Sequence, residues 1–164
     1  RLQRMWTIRM GDDQPRKIHE RTMENEIAGH EFWDPNLPKL WFDLQMPKYE
    51  NFFLACYDLV TDEEIRYPIE RRQWSVHYNI SRDGSVLVGD GGGPNSVARG
   101  DNGQYIYLFR PDGERLDCEP LCSLADHDYS LEPNAHFTPD KKWVVFRSNM
   151  HGESQVYAVE TGIE

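Results

Sequence analysis

The sequence contains, at positions 28–35, the stretch AGHEFWDP, and its pattern returns twice further along the chain. The second copy is SVHYNISRDG at 75–84, and the third is EPNAHFTPD at 132–140. Aligned on a bulky apolar residue, the copies each place a polar side chain three positions earlier, at His30, His77 and Asn134. A turn and a short apolar run follow each copy. Repeats of this length, made of short strands and turns, are typical of β-propeller blades.

The sequence therefore predicts an all-β fold, a propeller of four-stranded antiparallel blades, with about three and a half blades in this chain. Asp-Pro, Asp-Gly and Pro-Lys pairs separate the apolar runs, as expected of tight turns between strands. The acidic segment 19–26 is predicted to be a solvated loop between blades. The predicted units are the end of a blade at 1–20, a blade at 27–69, a blade at 74–122 and an incomplete blade at 129–164.

Closed propellers have about 4–8 blades. Fewer blades leave sheet faces and strand edges uncovered. We therefore expect additional N-terminal blades, or another copy of the chain, to complete the ring.

Charge and composition limit the classes of partner. The chain of 164 residues has 28 acidic and 18 basic residues, and its net charge is −10. A nucleic-acid surface normally needs an excess of Lys and Arg, so no nucleic acid is expected. No apolar run approaches the ~20 residues of a membrane span, so no membrane is expected either. An acidic sugar stays compatible, because a site can be locally positive in an acidic protein.

The three cysteines are sparse and form no disulfide framework or structural zinc motif: Cys56, Cys118 and Cys122. Buried free thiols are typical of a reducing compartment. We expect a cytoplasmic protein, with the periplasm as the alternative.

The matched polar positions predict a shared site. Innermost blade strands point alternate side chains toward the central channel. That periodicity brings together His30, His77, Glu132, Asn134 and also His136. Imidazole, carboxylate and amide groups form a mixed nitrogen and oxygen set that suits Mn²⁺, Ca²⁺ or Zn²⁺. His127, just before this segment, is a further candidate ligand, whereas His19 and His151 are predicted to be structural or surface residues.

The loop DGGGPN at 90–95 has three consecutive glycines. Glycine permits positive φ and close approach of backbone to a ligand. A long flexible connection is the equally weighted alternative.

The quoted motifs resemble those of the oligogalacturonate lyases, the seven-bladed propeller enzymes of pectin breakdown. The matching motifs are Arg-Met-Trp at 4–6, His-Glu-Phe-Trp at 30–33, Val-Gly-Asp-Gly at 88–91 and Phe-Thr-Pro at 137–139. Their order and spacing are kept. The resemblance covers nearly the whole chain and corresponds to roughly the C-terminal half of the family.

The resemblance implies a metal-assisted β-elimination on oligogalacturonides or a related uronide. His30 would be the base that removes the C5 proton of a uronic acid, and Arg4 would steady the substrate anion. A divalent metal, Mn²⁺ in the family, would bind the substrate carboxylate, with His77 as one ligand. Asp90 and His136 would contact the substrate.

The chain departs from the family at the other metal ligands. The family has a Gln and two His just before Phe-Thr-Pro, whereas this chain has Glu132 and Asn134 at the His positions. The metal site is therefore rebuilt, selective for another ion, or lost. The alternative function is a non-catalytic TolB-like propeller that binds a sugar or partner through the aromatics around Tyr49, Phe52 and Phe53.

Overall fold

The structure, a computed structural model, describes residues 4–99 and 104–164. Within these ranges the regular elements are β-strands, apart from one short 3-10 turn at Arg71–Gln73. The strands are β1 Arg4–Thr7, β2 Arg16–Glu20, β3 Ile27–Trp33, β4 Lys39–Gln45, β5 Phe52–Asp58, β6 Glu64–Ile69, β7 Tyr78–Ile80, β8 Leu87–Gly89, β9 Tyr105–Asp112, β10 Arg115–Ser123, β11 His136–Phe137, β12 Trp143–Ser148 and β13 Gln155–Glu160.

The strands form four antiparallel sheets in chain order. Strands β3 to β6 make one four-stranded sheet, and β7 to β10 make the next. A three-stranded sheet holds β11 to β13, and β1 pairs with β2. Each sheet is a meander, in which sequential strands are neighbours. The all-β prediction with four-stranded antiparallel units is confirmed.

The core lies between neighbouring sheets. Apolar residues of β4 and β5 pack against β7, β8 and β9, with Trp41, Leu54 and Leu87 almost fully buried. A second cluster joins β1 and β2 to β4, and a third joins β8 and β9 to β12. The near-continuous apolar runs of β4 and β8 fit this arrangement, because both faces of a middle strand are covered by neighbouring sheets.

Alternate connections of each meander lie at the same end of its sheet, because neighbouring strands are antiparallel. At one end lie the connections 46–51, 70–77, 90–99 and 124–135. We call it the site end.

At all three matched polar positions the chain leaves the regular sheet, which corrects the prediction of continuous inner strands. The pairing of β3 with β4 is irregular between Gly29 and Phe32, and His30 has φ +47°. Strand β7 begins only after His77, and β11 begins only after Asn134, whose φ is +49°. These side chains are therefore placed by local irregularities rather than by strand alternation.

Segment 19–26 is not uniformly solvated, contrary to prediction. His19 and Glu26 are buried, and His19 lies on strand β2. The His19 side chain lies between the carboxylates of Glu26 and Glu64. The acidic residues of this segment thus include a partner for a buried histidine.

No helix in the described ranges has the length and apolar character needed to cross a membrane.

Candidate active site

A cleft of about 550 Å³ opens at the site end of the sheets. Its lining includes His30 from β3, His77 from the connection before β7, and Glu132 from the connection before β11. The loop 93–97 closes one side of it. Three successive sheets therefore contribute to one concave surface, the usual form of a small-molecule site.

Two histidines form the centre of this site. The ring centroids of His30 and His77 lie 5.0 Å apart, and the rings are nearly perpendicular at 81°. The Nε2 atom of His77 lies 4.0 Å from the nearer carboxylate oxygen of Glu132, whose side chain is exposed. The matched positions of the first two copies thus meet, and Glu132 of the third copy is adjacent.

A buried carboxylate fixes His77. Asp90 is fully buried, and its Oδ2 lies 2.8 Å from Nδ1 of His77. The backbone N–H of His77 donates to Oδ1 of the same carboxylate at 2.8 Å. Because a carboxylate accepts here, Nδ1 of His77 carries the proton, and Nε2 stays available as an acceptor or ligand on the Glu132 side.

Asp90 also bonds to Asn134, the third of the matched polar positions. The backbone N–H of Asn134 donates to Oδ2 of Asp90 at 3.2 Å. The Asn134 side chain donates to the backbone oxygen of Glu132 at 3.3 Å. The resemblance implied a substrate contact for Asp90, but its carboxylate is turned into the protein and organises His77 and Asn134.

His30 has a buried carboxylate of its own. Nδ1 of His30 lies 3.2 Å from Oδ1 of Asp43, which is 1% exposed on β4. The Asp43 carboxylate raises the pKa of His30, with burial acting against it. Burial in turn raises the pKa of Asp43, and its bond to His30 opposes that shift. Donation from Nδ1 leaves Nε2 of His30 as the nitrogen that can accept a proton.

Asp43 escaped the prediction from sequence, although a signal was present. Asp43 follows His30 by 13 residues, and Asp90 follows His77 by the same number. Each Asp ends or interrupts an apolar run, where a carboxylate is costly unless it has a partner. A repeated pair of His and buried Asp is therefore readable in the sequence.

His127 also lines the cleft, but both of its ring nitrogens are held by hydrogen bonds within the protein. Its Nε2 donates to the backbone oxygen of Leu131 at 2.7 Å, and its Nδ1 accepts from the Ser148 hydroxyl at 2.9 Å. Burial lowers the pKa of His127. Both ring nitrogens are thus occupied, so the predicted role of His127 as a metal ligand does not fit this arrangement.

His136 and Arg4 are the two remaining predicted site residues. His136 is exposed on β11 and lines a smaller depression together with His30, His77 and Asn134. The side chain of Arg4 lies outside the described part of the chain, although its backbone belongs to β1.

The glycine-rich loop packs against protein. A Cβ added to Gly92 would lie 1.9 Å from the backbone oxygen of Ala98, and one on Gly93 would lie 3.0 Å from the Tyr129 ring. The Tyr129 hydroxyl donates to the backbone oxygen of Asp90 at 3.0 Å. These two glycines therefore provide close packing that supports the cleft wall.

The donor chemistry fits a divalent ion in part. His77 offers a free Nε2 held by a carboxylate behind it, and Glu132 offers exposed oxygens beside it. This is the nitrogen and oxygen donor class of Mn²⁺. The described residues contain no group of three or more His, Cys, Asp or Glu side chains arranged for a metal. Asn134 and external ligands would have to complete the set.

In sequence the chain is similar to two curated proteins. An oligogalacturonide lyase of Pectobacterium atrosepticum is 29% identical over 175 aligned positions, covering 94% of this chain and 42% of the relative. An oligogalacturonate lyase of Dickeya dadantii gives the same identity and coverage. The chain spans less than half the length of these relatives. No family model matches it.

Solved structures give the same connection at the level of the fold. An oligogalacturonate lyase in complex with manganese superposes with a TM-score of 0.75 at 24% identity, covering 94% of this chain and 40% of the other. An oligogalacturonate lyase from Vibrio parahaemolyticus superposes with a TM-score of 0.74 at 24% identity, covering 95% and 41%. The chain thus has the fold of the matching part of these lyases, and in sequence it is similar to oligogalacturonate lyases.

Proposed function

We propose that this protein cleaves a uronic-acid oligosaccharide by β-elimination, with His30 as the base. The observation that carries the proposal is the His30–Asp43 pair beside His77 in the main cleft. The sequence similarity to oligogalacturonate lyases supports the choice of substrate class.

His30 is suited to proton abstraction. Its Nδ1 is engaged by Asp43, so neutral His30 presents Nε2 as the basic nitrogen. Nε2 would take the proton from C5 of the uronate, and the electron pair of the broken C5–H bond would form the C4–C5 double bond. The C4–O4 bond would break, and its electron pair would leave with O4. Solvent would then protonate this leaving oxygen.

A divalent ion is part of the proposal, since one structural relative is a manganese complex. His77 and Glu132 are the residues that would hold the ion, with Asn134 as a third donor. When bound, such an ion supplies positive charge that stabilises the developing enolate of a carboxylate substrate. Arg4 is proposed to steady the same anion.

The test is a lyase assay on the purified protein with digalacturonate and trigalacturonate. The product contains a conjugated double bond, so its formation is followed by ultraviolet absorbance, with and without added Mn²⁺ and chelator. His30→Ala should lower the rate by about 10²–10⁴-fold, the usual contribution of a general base. His151→Ala is the matched control, because His151 is exposed and bonds only to the Tyr157 hydroxyl among the described residues.

If His30→Ala and His151→Ala have equal rates, His30 is not the base. Absence of product under every metal condition, across several uronides, would instead favour the binding propeller. For that alternative, Phe52 is unsuitable as a contact because it is 2% exposed, whereas Tyr49 remains partly exposed.

A further inference from the structure

Three cations converge on Tyr49 at the site end of the sheets. The Lys48 ammonium lies 4.5 Å from the centroid of the Tyr49 ring, and the Arg99 guanidinium carbon lies 4.1 Å from it. Arg71 donates to the backbone oxygen of Tyr49 at 3.0 Å. We call Lys48, Tyr49, Arg71 and Arg99 the basic cluster.

Buried groups hold the basic cluster in place. The backbone N–H of Tyr49 donates to Oε1 of Gln45 at 2.9 Å, and Gln45 is fully buried at the end of β4. The Arg71 guanidinium lies 4.0 Å from the ring centroid of Trp74, which is 1% exposed. The position of Tyr49 is therefore set by the protein before any ligand binds, which lowers the entropic cost of binding.

The basic cluster borders the cleft. Nε2 of Gln45 donates to the backbone oxygen of Val97, and Val97 lines the cleft. On the same strand, Asp43 lies two residues before Gln45 and contacts His30. One strand thus connects the proposed base to the basic cluster.

The local charge is opposite to that of the whole protein. The net charge is −10, yet none of Lys48, Arg71 and Arg99 forms a salt bridge to a residue that the structure describes. The pKa of the Tyr49 phenol is lowered, chiefly by Lys48 and also by Arg99, and burial opposes this shift. Cations that form no salt bridge with a carboxylate create a locally positive surface that attracts anions.

We propose that the basic cluster is a second anion subsite, which binds the carboxylate of a uronic-acid unit other than the one at His30. Lys48 and Arg99 pair with that carboxylate, while the Tyr49 ring holds both cations at the cleft rim. The choice of a uronide as ligand rests on the function proposed above. The subsite makes affinity increase with oligosaccharide length and with the number of free carboxylates.

The test compares two variants that remove the same charge. Lys48→Gln/Arg99→Gln removes two of the three positive charges of the basic cluster, and Arg82→Gln/Lys142→Gln removes two exposed cations in connections at the opposite end. Binding of trigalacturonate is measured by calorimetry in a His30→Ala background, so that the ligand is not consumed. The cluster variant should bind about three- to tenfold more weakly than the control and show a smaller salt dependence, as expected for lost, partly exposed charge contacts.

Three outcomes would overturn the subsite: equal affinity of the two variants, equal affinity of the parent for free and fully methyl-esterified trigalacturonate, or no binding of trigalacturonate by the parent. The lyase assay with His30 intact separates this proposal from the first. If product forms but the cluster and control variants bind trigalacturonate equally, only the subsite proposal is wrong. If the cluster variant binds more weakly but no product forms, the subsite is supported and the lyase proposal is wrong.

Discussion

At the residue scale, the two buried carboxylates distinguish the candidate site from an ordinary pair of surface histidines. Asp43 and Asp90 are 1% and 0% exposed, and each bonds to Nδ1 of a histidine that lines the cleft. A buried carboxylate that orients an imidazole sets both its tautomer and its basicity. Asp43 is therefore a positioning residue for His30, the proposed base.

Asp43→Asn should lower the proposed activity and shift its pH dependence. The carboxylate raises the pKa of His30, so removing its charge lowers that pKa. Because the base acts in its neutral form, activity falls as the pH drops through the His30 pKa. The acidic limb of the kcat/KM profile should therefore move to lower pH in the variant, while the rate at the optimum falls by about tenfold or more.

A loss of folding would also lower activity, so the profile is compared with a melting curve and with Asp90→Asn. Asp90 bonds to His77, and it raises the pKa of His30 only through its charge and by less than Asp43 does, so Asp90→Asn should move the acidic limb less than Asp43→Asn. If the acidic limb of Asp43→Asn coincides with that of the parent, Asp43 has no influence on the base.

At the element scale, the sequence predicted the strands well because the signals for them are local. Strands β3 to β6 extend from Ile27 to Ile69, and β7 to β10 extend from Tyr78 to Ser123, close to the predicted units 27–69 and 74–122. Strands β7 and β11 are short, at three and two residues, because Asp90 accepts the backbone N–H groups of His77 and Asn134, which precede them. The first of these bonds spans 13 residues and the second spans 44, so strand periodicity cannot reveal them.

The outline of the site was also predictable, because the repeat that marks it is a local signal in the sequence. The repeat identified His30, His77 and Glu132, whereas the role of Asp43 depends on the pairing of β3 with β4. The basic cluster depends on three separate connections meeting at Tyr49, which no single stretch of sequence encodes.

Gly92→Ala should destabilise the loop that closes the cleft. A Cβ there would lie 1.9 Å from the backbone oxygen of Ala98, so the loop or its neighbour must move. Overpacking of this kind costs about 1–3 kcal/mol of unfolding free energy. Urea denaturation measures the loss, with Gly113→Ala as the control.

At Gly113 an added Cβ would meet nothing within 4 Å, and only its φ of +61° is unfavourable. We expect the control to cost about 1 kcal/mol. A Gly92 variant no less stable than the control would show that the loop yields without strain.

At the scale of the whole molecule, a buried ionic network joins two of the sheets. His19 on β2 lies 2.6 Å from a Glu26 oxygen and 3.3 Å from an oxygen of Glu64 on β6. Glu26 also accepts from the backbone and hydroxyl of Thr22, both at 2.8 Å. The network links the two-stranded sheet to the following four-stranded sheet. Completion of the ring by additional blades or another copy stays a prediction.

The network should make stability depend on pH within a definite window. Glu64, and then Glu26, raises the pKa of His19, so this contribution is complete below about 6.5 and is lost as pH rises through the raised value. Burial alone would raise the pKa of Glu26, but bonds from Thr22 and His19 lower it on balance. The Glu26 contribution is complete above about 4.5 and is lost as pH falls through the lowered value.

His19→Gln should therefore cost most between about pH 4.5 and 6.5. We expect a loss of about 2–4 kcal/mol of unfolding free energy there, because the buried carboxylate of Glu26 and the partly buried carboxylate of Glu64 lose their cationic partner. Urea denaturation across a pH series measures it, and His151→Gln controls for loss of a histidine at the surface. The loss should shrink toward higher pH, where His19 is neutral in the parent as well. A loss that stays constant across the series would mean that His19 contributes by packing against Phe42, whose ring lies 5.4 Å away, and not by its charge.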